Sequence, residues 1–161
     1  MHYQAAVITV SDRASAGVYE DKSGPAVTQI LKEAGYDVVH TSIVPDEKAQ
    51  ISAELIRCAD EKHCDLIITS GGTGLSPRDV TPEATRAVCD RDVPGIAEAI
   101  RAYSMSKTRR AMLSRAVCMQ RGHTLVINFP GSTKAARESW EAVSDQLEHA
   151  AQMTAGGGHA K

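Results

Sequence analysis

Three short apolar runs alternate with two amphipathic segments along the first 70 residues, and this alternation constrains the fold more than any other feature. The apolar runs cover residues 3–10, 36–44 and 65–70, and each has a length that suits a strand. The intervening segments, 21–33 and 47–63, place apolar residues three, four and seven positions apart, as an amphipathic helix does. This order of strands and helices predicts a parallel sheet with helices packed on both of its faces.

The second half of the chain adds helices and one hairpin. We predict helices over 82–89, 94–105 and 134–153, and a helical turn over 109–114. Two apolar runs, 116–120 and 123–128, are separated by Arg121-Gly122, a two-residue break that is typical of a hairpin. Because a hairpin joins antiparallel strands, the predicted fold is an α/β protein, a three-layer α/β/α sandwich with a mostly parallel mixed sheet and one antiparallel strand.

Length, composition and charge fit one globular domain. The chain has 161 residues, of which 42% are hydrophobic and 24% are charged. We predict that residues 1–153 form the domain and that 154–161, which lack a core-forming pattern, form a disordered tail. A net charge of -2 argues against nucleic-acid binding, and no apolar run approaches the length of a membrane span. The N-terminus does not resemble a signal peptide, so we expect a cytoplasmic location.

The four cysteines fit neither a disulfide framework nor a zinc finger. Cys58, Cys64, Cys89 and Cys118 form no C-x-x-C pair, and no histidine stands at finger-like spacing. We therefore expect reduced thiols in the core or at the surface, and no zinc site.

Polar loops follow four of the predicted strands. In an open parallel sheet these loops meet at the carboxyl edge of the strands, where ligands bind. They are Ser11-Asp12-Arg13, Pro45-Asp46-Glu47, the stretch 70–74 with the nearby Asp79, and Asn128-Phe129-Pro130-Gly131-Ser132. Three of the loops carry an aspartate, and two carry glycine beside a hydroxyl. The sequence therefore predicts one site built from four distant segments.

The glycine-rich loop allows two interpretations. In Ser70-Gly71-Gly72-Thr73-Gly74, successive glycines allow backbone N–H groups to turn toward an anion, and the two hydroxyls add donors. The loop matches neither the P-loop nor the Rossmann pattern, so those two classes are disfavoured. The alternative is a tight turn that needs glycine only for its shape.

The aspartates and cations at this edge also have ordinary explanations. Asp46 could cap the helix that begins near Glu47, and Asp12 could be a turn residue. Asp79 is harder to explain as a cap, because Thr81-Pro82-Glu83 already supplies a cap, a proline at the first position and a first-turn acid. The nearby cations could neutralise phosphate or simply be solvated; they are Arg13, Lys22, Arg78, Arg115 and Lys134.

Several spaced motifs together resemble the MogA/MoaB-type molybdenum-cofactor biosynthesis proteins. The central match is Ser70-Gly71-Gly72-Thr73-Gly74 followed by Pro77-Arg78-Asp79-Val80-Thr81-Pro82-Glu83-Ala84. Further matches are Ser11-Asp12-Arg13 with Gly17, Glu20-Asp21-Lys22-Ser23-Gly24-Pro25, Val44-Pro45-Asp46-Glu47, Met112-Leu113-Ser114-Arg115 and Asn128-Phe129-Pro130-Gly131-Ser132. The resemblance covers roughly residues 5–150, nearly the whole chain.

The resemblance implies molybdopterin adenylyltransferase activity. AMP would pass from Mg-ATP to the terminal phosphate of molybdopterin, and pyrophosphate would leave. Asp46 and Asp79 would be the catalytic aspartates and would hold Mg²⁺, a hard cation that prefers carboxylate and phosphate oxygens. Substrate or nucleotide binding would involve Asp12, Ser70, Gly71, Gly72, Thr73, Gly74, Ser114, Arg115, Asn128, Pro130, Gly131 and Ser132. The partners implied are molybdopterin, ATP, two further copies in a homotrimer and other molybdenum-cofactor biosynthesis proteins.

Two departures from the family pattern lie on the pterin side. Cys118-Met119 stands where the family usually has Ala-Gly, and Thr133 stands where proline is common. Three alternative functions remain: a protein of the same family that binds molybdopterin without adenylylating it, a nucleotide hydrolase that uses the same loop, and a scaffold. The scaffold is the least favoured, because we see no fused second domain.

Overall fold

Six strands form a single sheet in the computed structural model, which describes residues 2–156. The strands are β1 Gln4–Val10, β2 Asp37–Val44, β3 Leu66–Ser70, β4 Arg91–Asp92, β5 Cys118–Arg121 and β6 Thr124–Phe129. Their order across the sheet is β2-β1-β3-β6-β5-β4. The pairs β1–β2, β1–β3 and β3–β6 are parallel, and β5 runs antiparallel to both β6 and β4. The prediction of a mostly parallel sheet with one antiparallel strand is confirmed.

Helices cover both faces of this sheet. They are α1 Asp12–Ser15, α2 Ser23–Glu33, α3 Lys48–Ile56, α4 Thr81–Val88, α5 Pro94–Met105 and α6 Thr133–Thr154. A π-helical turn, Arg57–Glu61, continues α3, and a 3-10 turn, Arg109–Leu113, follows α5. One core contains buried side chains of α2, α5 and α6, and the other contains those of α3 and α4. The three-layer α/β/α sandwich is therefore as predicted.

The strand β1 shows why the central strands are apolar on both sides. Ala5 and Val7 belong to the core under α2, α5 and α6, whereas Ala6, Ile8 and Val10 belong to the core under α3 and α4. Successive side chains of a strand point to opposite faces, so a strand that is buried on both faces favours apolar residues at successive positions.

The structure corrects four local predictions. The predicted loop 11–17 contains the short helix α1, which the Ser11 hydroxyl caps by accepting from the Ala14 N–H at 3.1 Å. The strand β4 is absent from the prediction, because two residues carry no periodicity. Arg121 pairs with Thr124, so 122–123 form the hairpin turn rather than 121–122. The helix predicted over 47–63 is α-helical only to residue 56 and continues as the π-helical turn.

Two other expectations concern the tail and the membrane. Thr154, placed in the tail by the sequence, is the last residue of α6, and 157–161 lie outside the described residues. Among residues 2–156, no helix is long and apolar enough to cross a membrane.

The four cysteines are free thiols, and burial raises the pKa of Cys58 to about 12 and that of Cys64 to about 11.

Candidate functional site

Polar contacts join the loops that follow β1, β2, β3 and β6. Asp12, after β1, is hydrogen-bonded to Asp46, after β2. The Ser70 hydroxyl, at the end of β3, donates to the carbonyl oxygen of Pro130, after β6, at 3.0 Å. A Cβ atom on the neighbouring Gly131 would lie only 3.4 Å from the Cα of Gly71. The predicted convergence of four segments at one edge is confirmed.

Asp12 and Asp46 hold each other through a reciprocal pair of hydrogen bonds. The Asp12 N–H donates to Asp46 Oδ2, and the Asp46 N–H donates to Asp12 Oδ1, both at 2.9 Å. The Arg78 guanidinium donates to both Asp12 oxygens at 3.0 Å and to Glu47 at 2.9 Å. The Arg78 hydrogen bond and the Asp46 backbone N–H keep the pKa of Asp12 below its usual value. Asp12 is therefore paired with Arg78, and its hydrogen bonds to Asp46 connect the loops after β1 and β2.

Asp46 keeps one oxygen directed at the glycine loop. A Cβ on Gly72 would lie 3.1 Å from Asp46 Oδ1, whereas Oδ2 is occupied by the Asp12 N–H. Partial burial raises the pKa of Asp46 above its usual value, and the charges of Asp12 and Asp79 raise it further. Asp46 does not cap α3, whose N-cap is Glu47 with no side-chain cap bond. Its position therefore favours a functional carboxylate over a structural cap.

Asp79 lies on the other side of the glycine loop. Its Oδ2 accepts from the Ser76 N–H at 3.1 Å and would lie 2.9 Å from a Cβ on Gly74. It does not cap α4, because Val80 is the N-cap there. The predicted cap by Thr81 is wrong, because Thr81 is the first helical residue and its hydroxyl donates to the loop instead. Asp79 is thus the second carboxylate beside the glycines.

Two glycines give the loop a shape that other residues could not adopt. Gly71 has a φ of 109°, and a Cβ there would lie 2.3 Å from the Val10 carbonyl oxygen. Gly72 has a φ of 70°, and a Cβ there would lie 2.3 Å from Thr81 Oγ1. That hydroxyl donates to the Gly71 carbonyl at 2.9 Å, and the Thr81 N–H donates to the Gly72 carbonyl at 3.1 Å. Sequence reasoning missed Thr81 as a site residue because its pattern is that of a helix cap.

The conformation of the glycine loop leaves a row of backbone N–H donors without protein acceptors. Among residues 2–156, the N–H groups of Gly72, Thr73, Gly74 and Leu75 donate to no protein acceptor, whereas the Gly71 N–H is used by the Phe129 carbonyl. The Thr73 hydroxyl also lacks a hydrogen bond within this described part of the chain. Consecutive unpaired N–H groups form an anion-binding concavity. The loop therefore combines features of both interpretations, because its turn requires glycine and its N–H groups are left available to an anion.

Arg115 fixes the glycine loop from the opposite side. Its backbone N–H donates to the Thr73 carbonyl at 2.8 Å, its Nε to the Gly74 carbonyl at 2.8 Å, and one terminal nitrogen to the Asp79 carbonyl at 2.6 Å. Its other terminal nitrogen pairs with Glu83. The guanidinium is therefore used within the protein, and Arg115 acts as a positioning residue for the loop.

Ser70 lies beneath the site. Its hydroxyl contacts the Ser23 hydroxyl at 2.9 Å and donates to the Pro130 carbonyl, and the residue is buried. These contacts tie α2, β3 and the loop after β6 together. Ser70 supports the loop and does not offer its hydroxyl to the open surface.

The amino end of α6 adjoins the glycine loop. Ser132 is the N-cap, and its hydroxyl accepts from the Ala135 N–H at 3.1 Å. The N–H groups of Thr133 and Lys134, in the first turn, donate to no acceptor among the residues that the structure describes. A helix N-terminus with free N–H groups favours negative charge. The segment Pro130-Gly131-Ser132 thus brings the unpaired N–H groups of the first turn of α6 close to the glycine loop.

The comparison with protein families is decisive once this geometry is known. A family described as a probable molybdopterin binding domain matches residues 6–149. This chain belongs to that family. A molybdopterin adenylyltransferase of Helicobacter pylori is 43% identical over 152 residues, which cover 93% of this chain and 86% of that protein. The Escherichia coli protein of the same name is 43% identical over 141 residues, which cover 86% of this chain and 72% of that protein.

Solved structures agree with this assignment. The molybdopterin biosynthesis enzyme MoaB of Thermus thermophilus is 45% identical, with a TM-score of 0.90 over 96% of this chain and 97% of that one. A MogA structure is 42% identical, with a TM-score of 0.88 over 94% and 99% of the two chains. The resemblance to MogA/MoaB-type proteins inferred from the motifs is confirmed.

A cavity in this molybdopterin-binding domain opens beside the glycine loop and has a volume of about 260 Å³. Its wall includes Thr73, Gly74, Ile100, Arg101, Leu113, Ser114, Pro130 and Ser139. The Ser114 hydroxyl, predicted on the pterin side, accepts from the Ala116 N–H at 3.2 Å. The family departures Cys118, Met119 and Thr133 are not among the residues that line it. Cys118 and Met119 are buried in β5, and Thr133 is the first residue of α6.

Asn128 is also buried beneath the site, where replacement by alanine should destabilise the fold. Its Nδ2 donates to the hydroxyls of Thr69 at 3.0 Å and Thr85 at 3.1 Å, and its Oδ1 accepts from the Val117 N–H at 3.1 Å. Asn128→Ala leaves these partners unsatisfied, so we expect a loss of about 2–4 kcal/mol in the free energy of unfolding. Urea unfolding measures this loss, and Gln146→Ala, which removes an exposed amide, should stay within about 0.5 kcal/mol of the parent. Equal stability of the two variants would contradict a buried bridging role for Asn128.

Proposed function

We propose that this chain is a molybdopterin adenylyltransferase that transfers AMP from ATP to the terminal phosphate of molybdopterin. The single observation that carries the proposal is the row of unpaired N–H groups from Gly72 to Leu75, flanked by the carboxylates of Asp46 and Asp79. A site for phosphate alone has no use for two carboxylates. A site for phosphate with an accompanying cation needs both the N–H donors and the carboxylates. The relatives named molybdopterin adenylyltransferase support the same assignment.

The reaction needs positioning more than a strong base. An oxygen of the molybdopterin phosphate attacks the α-phosphorus of ATP, and the bond from that phosphorus to the bridging oxygen of the β-phosphate breaks. Pyrophosphate leaves with the electron pair, and the pterin phosphate becomes joined to AMP. The nucleophile is already anionic, so the main barrier is the approach of two anions. The free N–H groups of the glycine loop and of the first turn of α6 supply fixed positive dipoles at that point.

The two aspartates fit the Mg²⁺ expected for this reaction. One oxygen of Asp46 and one of Asp79 accept a backbone hydrogen bond, and each carboxylate keeps its other oxygen without a hydrogen bond from residues 2–156. Mg²⁺ typically takes one or two carboxylates together with phosphate oxygens and water. When bound, it would neutralise phosphate charge at the reacting centre. Asp12 is a poor ligand by comparison, because Arg78 occupies both of its oxygens.

The cavity beside the loop suits the pterin. Gly74 and Thr73 belong both to the anion-binding loop and to the cavity wall, so a ring seated in the cavity would place its phosphate near the free N–H groups. Ile100 and Leu113 offer apolar contact, and Ser114 offers a hydroxyl. This mixture of apolar surface and few polar groups is typical of small-molecule sites.

Activity should fall in acid, and loss of Arg78 should move this fall to higher pH. Asp46 must be ionised to bind a cation, and its pKa is raised by burial and by the charges of Asp12 and Asp79, with only the Asp12 hydrogen bond and the Arg78 charge opposing. Arg78→Gln removes a positive charge that favours the carboxylate, so the pKa of Asp46 should rise further. We expect the acidic limb of the kcat/KM profile to move to higher pH. Arg137→Gln, on the exposed surface of α6, is the matched control, and an unmoved or lower limb for Arg78→Gln would contradict this.

A pyrophosphate-release assay separates the proposed function from its alternatives. With Mg-ATP and molybdopterin, we expect pyrophosphate in equal amount to adenylylated pterin, and none when the pterin is omitted. Pterin binding without pyrophosphate would indicate a binding protein. ATP consumption without pterin would indicate a hydrolase. Either result would overturn the proposal.

We further propose a homotrimer in the cytoplasm that works with other molybdenum-cofactor biosynthesis proteins. The family resemblance supports the trimer, and Leu75, Met112 and Leu113 expose apolar side chains beside the site that a neighbouring copy could cover. Sedimentation equilibrium should give a mass of three chains, and a monomer mass would exclude this assembly.

A further inference from the structure

A cluster of potential metal ligands lies between β2 and the helix α3. His40 Nε2 is 2.9 Å from Glu54 Oε2, and the ligand atoms of His40, Glu54 and Cys58 all lie within 4.8 Å of one another. The side chains of His40 and Glu54 are 16% and 11% exposed, and Cys58 is fully buried. The cluster is therefore nearly enclosed but reachable from solvent on the side of His40 and Glu54.

Two backbone irregularities bring these side chains together. The pairing of β1 with β2 shifts between Ala5–Val38 and Ala6–His40, so Val39 is an extra residue and His40 shares a sheet face with Ala6. That face is covered by α3. On the helix side, Cys58 follows Glu54 by four residues and lies in the π-helical turn. Strand bulges and π-helical turns are both over-represented at functional sites.

A buried hydroxyl also belongs to the cluster. Ser42 follows His40 by two residues on β2, so it lies on the same face. Its Oγ is buried beside the Glu54 carboxylate, yet no hydrogen bond of normal geometry joins them. A buried polar atom without such a partner is uncommon in a folded protein, and a bound water or ion is one of its explanations.

We propose that His40, Glu54 and Cys58 bind a divalent cation of the Zn²⁺ class, with Ser42 or a water molecule as the fourth ligand. One imidazole nitrogen, one carboxylate oxygen and one thiolate sulfur suit Zn²⁺ or Co²⁺, whereas Mg²⁺ requires oxygen ligands. Ligands at about 2.0–2.3 Å from a tetrahedral ion lie about 3.5 Å apart, so movements of about 1 Å would close the site. The ion replaces the hydrogen bond between His40 and Glu54, and the Cys58 thiol loses its proton to solvent.

This site is separate from the one at the carboxyl edge. His40 precedes Val44, the last residue of β2, by four positions, or about 13 Å along the strand. The spacing of residues 40, 54 and 58 matches no zinc-finger pattern, which is why the sequence argued against zinc. The ordinary alternative is a His40–Glu54 ion pair over a core thiol, with Arg57 at 3.9 Å from the other Glu54 oxygen.

Cobalt titration of the purified full chain tests the site, because Co²⁺ bound to thiolate has a charge-transfer absorption in the near ultraviolet. We expect one Co²⁺ per chain with this absorption, displacement by Zn²⁺, and no displacement by excess Mg²⁺. Cys58→Ser should abolish the absorption, and His40→Gln should weaken Co²⁺ binding at least about tenfold. Circular dichroism verifies that each variant is folded.

Two control variants remove side chains of the same types at other positions. Cys89→Ser removes another free thiol, and His149→Gln removes an exposed imidazole of α6. Both should bind Co²⁺ like the parent chain. If the parent shows no thiolate absorption, if the absorption survives in Cys58→Ser, or if the controls lose it equally, the proposed site is wrong.

Discussion

Asp79→Asn should lower kcat for adenylyl transfer by about 100- to 1,000-fold while leaving the fold intact. The substitution keeps an oxygen that can accept from the Ser76 N–H, so the loop keeps its shape. It removes the negative charge that the proposed Mg²⁺ site requires. Initial rates of pyrophosphate release at saturating ATP and pterin measure the loss, and thermal unfolding measures the stability.

Asp46→Asn should behave in the same way. The amide oxygen that this substitution introduces can still accept from the Asp12 N–H, so the connection between the two loops survives. Asp145→Asn, which removes an exposed carboxylate of α6, should keep the activity of the parent. If Asp79→Asn and Asp46→Asn retain full activity at limiting Mg²⁺, neither carboxylate holds the cation. If they unfold instead, both residues are structural.

Gly71→Ala should have the largest effect on stability of any single methyl addition in the loop. The new Cβ would lie 2.3 Å from the Val10 carbonyl oxygen, a backbone atom of the central strand β1, and the φ of 109° is strained for any residue with a side chain. We expect a loss of roughly 3 kcal/mol or more in the free energy of unfolding. For a chain of this length, the melting temperature should fall by about 10 °C.

Gly95→Ala is the matched control for this prediction. A Cβ there meets nothing within 4 Å, and the residue lies in the first turn of α5, where alanine is a better helix former. Its stability should equal or slightly exceed that of the parent. If Gly71→Ala is as stable as Gly95→Ala, the loop does not have the conformation described.

The sequence allowed the site to be placed at the carboxyl edge of the sheet, because topology alone brings the loops that follow parallel strands together. It did not distinguish the side chains that are free to bind a substrate from those that support the loops. Ser70 and Asn128 have the residue types of a binding site, yet both are buried and hydrogen-bonded to residues 43 to 60 positions away in the chain. Such contacts leave no local pattern, so only the fold shows that these side chains are already used.

Arg115 and Thr81 are two further residues whose roles depend on contacts that the sequence does not show. Arg115 had the features of a phosphate-binding cation, but it donates to the carbonyls of Gly74 and Asp79. Thr81 had the features of a helix cap, but its hydroxyl holds Gly71. The cluster of His40, Glu54 and Cys58 depends on a bulge and a π-helical turn, neither of which has a periodicity that could be recognised in the sequence.

Positional labelling of ATP tests the proposed adenylyl transfer most directly. The chain is incubated with molybdopterin, Mg²⁺ and ATP labelled either on the α-phosphate or on the γ-phosphate, and the pterin product is then isolated. We predict that α-label appears in the pterin product at one per molecule and that γ-label appears only in pyrophosphate. Transfer of γ-label to the pterin, or its release as inorganic phosphate without labelled pterin, would contradict adenylyl transfer at this site.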